Sequence, residues 1–236
     1  MDRDRIAFDH IAIALERIAD APPVLVGALG ELPDSAAPAR EFNRACWRFD
    51  GGKQIEVLEP AREDGFLRRF LRQRGPGIHH VTFKVPSLRE ACDRAEAHGY
   101  EIVGYDDSRP GWKEAFLHPR QALGLVVQFA EASERDVPRF RIPVPPGPAT
   151  PPPPATVVGL RTRARSADRA RTQWERVLLG EPADGGGGYR WPGSPMRIAV
   201  EIDPDAEEGA VGIEIRSHRP VSLPGRPLGV AWLVTP

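Results

Sequence analysis

Residues 75–85, GPGIHHVTFKV, decide how the rest of the chain reads. A Gly-Pro-Gly turn runs directly into an apolar strand that opens on two histidines. Successive strand side chains point to opposite faces, so Ile78, His80, Thr82 and Lys84 share one face while His79, Val81, Phe83 and Val85 share the other. The second set seeks a core. His80 is left on the less apolar face, where a sheet can present it to a ligand or metal. Residues 8–15, FDHIAIAL, repeat the arrangement, with His10, Ala12 and Ala14 on one face and Ile11, Ile13 and Leu15 on the other. A lone strand histidine is ordinarily structural, but two in matching registers of similar strands point to a metal or active site.

Between these strands, residues 15–30, LERIADAPPVLVGALG, read as a helical segment broken at Pro22 and Pro23 and closed by Gly30. A polar connection rich in Pro and Ala follows. EFNRACWRF and KQIEVLEP then form two strand-like runs separated by Asp50, Gly51 and Gly52, a hairpin signal. In the second run Glu56 projects from the face opposite Ile55 and Val57, and a carboxylate there needs solvent, a cation or a metal. GFLRRFLRQRG is a short basic amphipathic helix that returns the chain to the Gly-Pro-Gly turn.

The pattern then repeats. Ser87, with Glu90 three residues on, caps the helix LREACDRAEAHG, which stops at Gly99. YEIVGYDD, WKEAFLHP and LGLVVQFAE are further strands, and Gln128 takes the place in this unit that Glu56 takes in the first. A duplicated strand-helix-strands unit accounts for residues 5–131.

From Asp136 to Thr156 the chain is dense in proline and reads as a semi-rigid extended linker. Beyond it, TVVGLRTRA, the helix SADRARTQWERVLLG with Ser166 as cap and Gly180 as stop, and the strands MRIAVEI, VGIEIRS and GVAWLV suggest a third, degenerate unit of the same kind. Gly159 falls where His10 would be and Glu214 where Glu56 would be, so no second metal centre is expected. The predicted domains are 1–135, a linker at 136–156, and 157–236. Gly185 to Gly188 form no phosphate loop, since no Lys-Ser or Lys-Thr follows.

The 236 residues suit one large domain or two small ones, and 41% hydrophobic residues suffice for an ordinary core. Lys and Arg total 32 against 33 Asp and Glu, a net charge of -1, which gives no sign of a general nucleic-acid footprint and leaves room only for a local basic patch. The N-terminus resembles neither a signal peptide nor a membrane span, so a cytoplasmic location is the default. Cys46 and Cys92, inside apolar segments without metal-like spacing, read as reduced, buried small hydrophobes.

The motifs FDHIAIAL, KQIEVLEP, GPGIHHVTFKV and FLHPRQALGLVVQF, in this order and spacing, resemble the vicinal oxygen chelate (glyoxalase/bleomycin resistance/dioxygenase) superfamily, in particular its methylmalonyl-CoA epimerase-like branch. The resemblance implies an α+β fold of tandem βαβββ modules whose curved mixed sheet surrounds a divalent metal. Carried over position by position, the ligands are His10, Glu56, His80 and Gln128, the four positions that strand alternation also selects. Gln128 stands where the family commonly has glutamate, so it is a weaker carbonyl-oxygen ligand or none. The metal is Mn, Co, Mg, Zn, Ni or Fe. Glu41 and Glu114 are the candidate catalytic bases, and Lys84, Lys113 and Arg120 the candidates to hold a carboxylate or a CoA phosphate.

The implied activity is that of a metal-dependent isomerase, epimerase or lyase catalysing enolate-type proton transfer on an acyl-CoA or small 2-oxo acid. Two alternatives stand beside it. His10, His80 and Glu56 also match the two-histidine, one-carboxylate set of Fe(II) dioxygenases, and a metal-free binding protein of the bleomycin-resistance kind would use the same groove to sequester a ligand. The implied partner is a small-molecule substrate, with no nucleic acid and no membrane. The chain is expected to be a monomer or homodimer, its third unit packing over a surface that simpler relatives use for dimerisation.

Overall fold

Strand alternation along FDHIAIAL produces β1, Ala7–Ala14, in a computed structural model that describes residues 5–49, 54–132, 141–183 and 186–235. Ile11 and Ile13 are buried as their spacing predicts, but Ala12 and Ala14 are buried too, because β1 pairs in parallel with β4 and is covered on both faces. The first sheet also holds β2 (Leu32–Pro38), β3 (Phe42–Arg48), β4 (Gln54–Pro60), β5 (Gly77–Lys84), β6 (Ile102–Asp106), β7 (Trp112–Leu117) and β8 (Val126–Ala132). Its order is β2-β3-β4-β1-β5-β8-β7-β6. β5 pairs in parallel with β8, while β2 with β3, β3 with β4, β6 with β7 and β7 with β8 are antiparallel. The turn expected at Asp50, Gly51 and Gly52 lies outside the described residues, although the strands flanking it pair as a hairpin requires.

The second sheet is built from β9 (Thr156–Ala164), β10 (Glu181–Pro182), β11 (Gly188–Arg190), β12 (Arg197–Ile202), β13 (Gly209–Arg216) and β14 (Trp232–Thr235), in the order β10-β11-β12-β9-β13-β14. That order repeats six of the eight strands of the first sheet. β9 and β12 are parallel, like β1 and β4, and β13 and β14 are parallel, like β5 and β8. Glu214 therefore lies on the counterpart of β5, the strand of His80, and not where Glu56 would be. The sequence pattern misassigned it because β10 and β11 are too short to register as strands, which shifted VGIEIRS one place along the repeat. The fold is mixed α+β, as expected.

Helices cover short stretches: α1 (Phe66–Arg74), α2 (Leu88–Ala97) and α3 (Ala167–Arg171), which continues as a π-helical turn over Thr172–Val177. Both predicted serine caps are present, Ser87 accepting from the Glu90 amide and Ser166 from the Arg169 amide. The amide of Gly180 closes the last helical turn on the Trp174 carbonyl. The break expected at Pro22 and Pro23 divides that segment into a 3₁₀ turn, Ile18–Asp20, and a π-helical turn, Pro23–Ala28. One connection is corrected. Leu32–Pro38, expected to be irregular, is strand β2, and its prolines are tolerated because it forms the edge of the sheet.

The chain forms two compact units. One comprises residues 1–9, 80–136 and 159–211. Its core holds Phe8 stacked on Phe83 at 4.9 Å between ring centroids, with Trp191 at 4.7 Å from Phe83 and Trp174 at 6.2 Å. The buried Trp191 indole donates to the Leu178 carbonyl at 2.6 Å, so its one polar atom is satisfied. The other unit comprises residues 10–79, 137–158 and 212–236. There α1 lays Leu67 and Leu71 over Ala12, Ala14 and Leu58, flanked by Phe42, Phe66 and Phe70. The described part of the proline-rich stretch is packed within this unit, with the Arg141 amide on the Ala36 carbonyl and the Ala155 amide on the Leu29 carbonyl, both at 2.8 Å. Gly30 permits the approach, since a Cβ there would lie 2.4 Å from the Pro152 carbonyl oxygen. Among the described residues no helix is long and apolar enough to cross a membrane.

Candidate metal centre

The parallel β1–β4 ladder sets Ala12 opposite Glu56 and Gln54 opposite His10. Glu56 Oε2 comes to 3.5 Å from His10 Nε2. Glu56 is 7% exposed, and a carboxylate so buried requires compensation. The antiparallel β3–β4 pair supplies it: Cys46 lies opposite Glu56, its thiol 3.8 Å from Oε1, and Arg44 donates Nη1 to the same oxygen at 3.4 Å. Burial works against the Arg44 charge, but Glu56 and Cys46 more than offset it and hold its pKa above the usual range.

In the other unit His80 is buried on β5, and Thr82 pairs with Gln128 across the parallel β5–β8 ladder. Thr82 donates its hydroxyl to Gln128 Oε1 at 2.5 Å, and Gln128 Nε2 donates to Glu114 Oε2 at 2.8 Å. The Trp112 indole and Arg109 Nη2 also donate to Glu114, at 2.7 and 3.3 Å. Three donors from two strands and a turn fix this partly buried carboxylate in one orientation.

His10, Glu56 and His80 are all buried, and one ligand atom from each lies within 4.8 Å of the others. Two imidazoles and a carboxylate converging in a protected place are a donor set that fits a divalent cation. His79 behaves differently from its neighbour. It packs against Phe66 and Phe70, and burial lowers its pKa to about 4, leaving it a neutral ring at pH 7.

The remaining candidates are dispersed. Lys84 pairs with Asp9 at 2.8 Å and Lys113 with Glu131 at 2.5 Å, so both cations already have carboxylate partners. Arg120 is exposed on the turn before β8. Glu41 lines a cavity of about 200 Å³ at the start of α1, with Arg40, Arg62 and Arg69, a cavity that none of His10, Glu56 and His80 lines. The sequence reading gave Arg44, Cys46 and Thr82 no part in the site. A hairpin centred on Gly51 pairs residues whose numbers sum to 102, which sets Cys46 opposite Glu56, so the signal for two of them was present.

Residues 9–116 match the Glyoxalase/Bleomycin resistance protein/Dioxygenase superfamily. A hypothetical protein from Bacillus halodurans of known crystal structure is 31% identical, covering 56% of this chain and 98% of its own, with a TM-score of 0.52. The chain belongs to the glyoxalase/bleomycin resistance/dioxygenase superfamily. An ethylmalonyl-CoA/methylmalonyl-CoA epimerase of Cereibacter sphaeroides is 29% identical over 82 residues, 33% of this chain and 61% of the epimerase. A variant 4-hydroxymandelate synthase from Streptomyces coelicolor, 13% identical, aligns with 91% of this chain and 71% of its own at a TM-score of 0.63. That likeness is one of fold, and it extends over both sheets. Superfamily membership makes an enzyme plausible, because epimerases and dioxygenases occur among its members.

Proposed function

We propose that this glyoxalase-superfamily chain is a divalent-metal-dependent enzyme that transfers a proton at the carbon beside a carbonyl, in an acyl-CoA thioester or a small 2-oxo acid, as an epimerase or lyase does. The observation that carries the reading is the buried group of His10, Glu56 and His80; the 29% identity to an ethylmalonyl-CoA/methylmalonyl-CoA epimerase supports the reaction class. These three side chains hold the cation. When bound, the cation supplies Lewis-acid stabilisation of negative charge developing on substrate oxygens.

The chain's own groups do the rest. Glu114 accepts the proton and returns it, held in place by Trp112, Arg109 and Gln128. Gln128 serves as the link between Glu114 and the strand of His80, through Thr82. By this reading the chemistry belongs to residues 1–135. The part beyond the proline-rich stretch has glycine at position 159, and His10, Glu56 and His80 are the group on which the reading rests.

The test is metal content and proton exchange together. Protein purified without chelators should contain about one divalent ion per chain, lost in His80→Ala, and the loaded protein should exchange the α-proton of an acyl-CoA in deuterated water. Wild type that takes up neither manganese, cobalt nor iron would replace this reading with sequestration of a ligand. Oxygen consumption with ferrous iron and no proton exchange would replace it with oxygenase chemistry.

A further inference from the structure

Arg44 is incompletely used by the protein. Its Nη1 reaches Glu56 Oε1 at 3.4 Å and the Cys46 sulfur at 3.6 Å, while Nε and Nη2 make no hydrogen bond among the described residues. Arginine–carboxylate pairs are frequently bidentate, the fork facing both oxygens, although one-nitrogen pairs such as Arg17 with Asp20 also occur in this chain. Arg62 is bidentate, donating Nε and Nη2 to the two oxygens of Asp64 at 3.1 and 3.2 Å. Arg44 instead commits one nitrogen, at long range, to the oxygen of Glu56 that is turned away from His10.

The side chain is held as well as open. It is 35% exposed, beside a Glu56 side chain that is 9% exposed. It shares a face of β3 with Cys46, two residues on, and the antiparallel register with β4 sets Cys46 opposite Glu56. The unspent Nε–Nη2 edge is a planar pair of donors that matches a carboxylate. Lys84 and Lys113, by contrast, are already paired with acids.

We propose that Arg44 is a specificity-determining residue: its Nε–Nη2 edge binds a carboxylate of the substrate beside the His10 and Glu56 side chains. The inference rests on the metalloenzyme reading and narrows it to substrates carrying an anionic group close to the reacting carbonyl. A neutral carbonyl compound leaves the guanidinium edge without a partner and is selected against.

The experiment compares malonate with its neutral diamide, malonamide, binding to the full-length protein loaded with manganese. Wild type, Arg44→Gln and Arg44→Lys are titrated by calorimetry, and the manganese content and thermal transition of each are recorded. Wild type should prefer malonate. Arg44→Gln should weaken malonate about tenfold or more while leaving malonamide unchanged, and Arg44→Lys, with a charge but no fork, should fall between. Equal losses for both ligands, or wild type without a preference, overturn the assignment. Should Arg44→Gln unfold, the intermediate position of Arg44→Lys decides it. Wild type that binds no manganese refutes the metalloenzyme reading itself, whereas variants that keep both manganese and malonate refute only the role of Arg44.

Discussion

Gln128 donates its Nε2 to Glu114 at 2.8 Å while its Oε1 accepts the Thr82 hydroxyl at 2.5 Å. An amide offers a donor at one end and an acceptor at the other, and both are used here. Replacing it by leucine removes two hydrogen bonds in a buried place and should cost about 1–3 kcal/mol. A glutamate would instead confront Glu114 with a second carboxylate. In metal-free protein one of the pair would then have its pKa raised above the unfolded value of about 4.3. Such a carboxyl binds its proton more tightly in the folded state, so stability falls as pH rises through the window above 4.3. Urea denaturation of Gln128→Glu should show a deficit against wild type that is larger at pH 8 than at pH 5, and an equal deficit at both would refute the pairing.

Metal affinity and proton transfer should separate by residue. Glu56 is the only carboxylate in the buried group, so Glu56→Gln should weaken manganese binding by about a hundredfold or more, at least the loss that even an outer partner of a ligand can cause. Glu114→Gln should leave manganese binding within about threefold and reduce α-proton exchange by roughly 10²–10⁴-fold, the usual contribution of a general base. Manganese titration followed by electron paramagnetic resonance reads the first and deuterium incorporation the second. A Glu114→Gln variant that loses metal as readily as Glu56→Gln would make Glu114 a ligand and leave the base unidentified.

What the sequence made legible were features with a local period. His10, Glu56, His80 and Gln128 stand out because strand alternation can be read within eight residues. The serine caps and the terminating glycines are equally local. Features set by partners distant in sequence were hidden. Arg44 comes beside Glu56 only through the β3–β4 register, and Gln128 turns to Glu114 because β7 lies beside β8. β2 was read as a connection because Pro33 and Pro38 argue against a strand unless it is known to be an edge. The proline-rich stretch gave no sign that it lies against Leu29, Gly30 and Ala36, since its composition specifies extension but not what it packs on.

Cys92 supplies an alkaline limb to stability. It is buried on α2, and burial pushes its thiol up to about 11 from an ordinary value of 9. The unfolded chain therefore loses this proton first, and between pH 9 and 11 the folded state holds it while the unfolded state does not. Stability should fall across that window by up to about 3 kcal/mol, two pK units at 1.36 kcal/mol each. Cys92→Ala, which leaves only a small cavity, should flatten this part of the curve in denaturant titrations at pH 8.5, 9.5 and 10.5. An identical slope in the variant would assign the alkaline loss to another group.

Gly159 pairs with Arg197 in the parallel β9–β12 ladder, as His10 pairs with Gln54 in β1–β4. The second sheet thus has a glycine at the counterpart of His10, one of the three proposed metal ligands, and the reason for its lack of a side chain is steric. A Cβ at position 159 would lie 2.0 Å from the Arg197 carbonyl oxygen and 2.9 Å from its carbonyl carbon and amide nitrogen, all backbone atoms that cannot rotate away. The backbone there also has φ +158, a value L side chains rarely adopt. Gly159→Ala should therefore destabilise the protein by about 2–4 kcal/mol, in the range of strained backbone combined with overpacking. Gly159→His should fare no better and should leave metal content at its wild-type level, because restoring the residue type does not restore the space it needs. Thermal transitions and elemental analysis of the two variants check both expectations. A Gly159→His protein that melts like wild type and takes up a second ion would mean that β9 and β12 can part, and that the second sheet retains a latent centre.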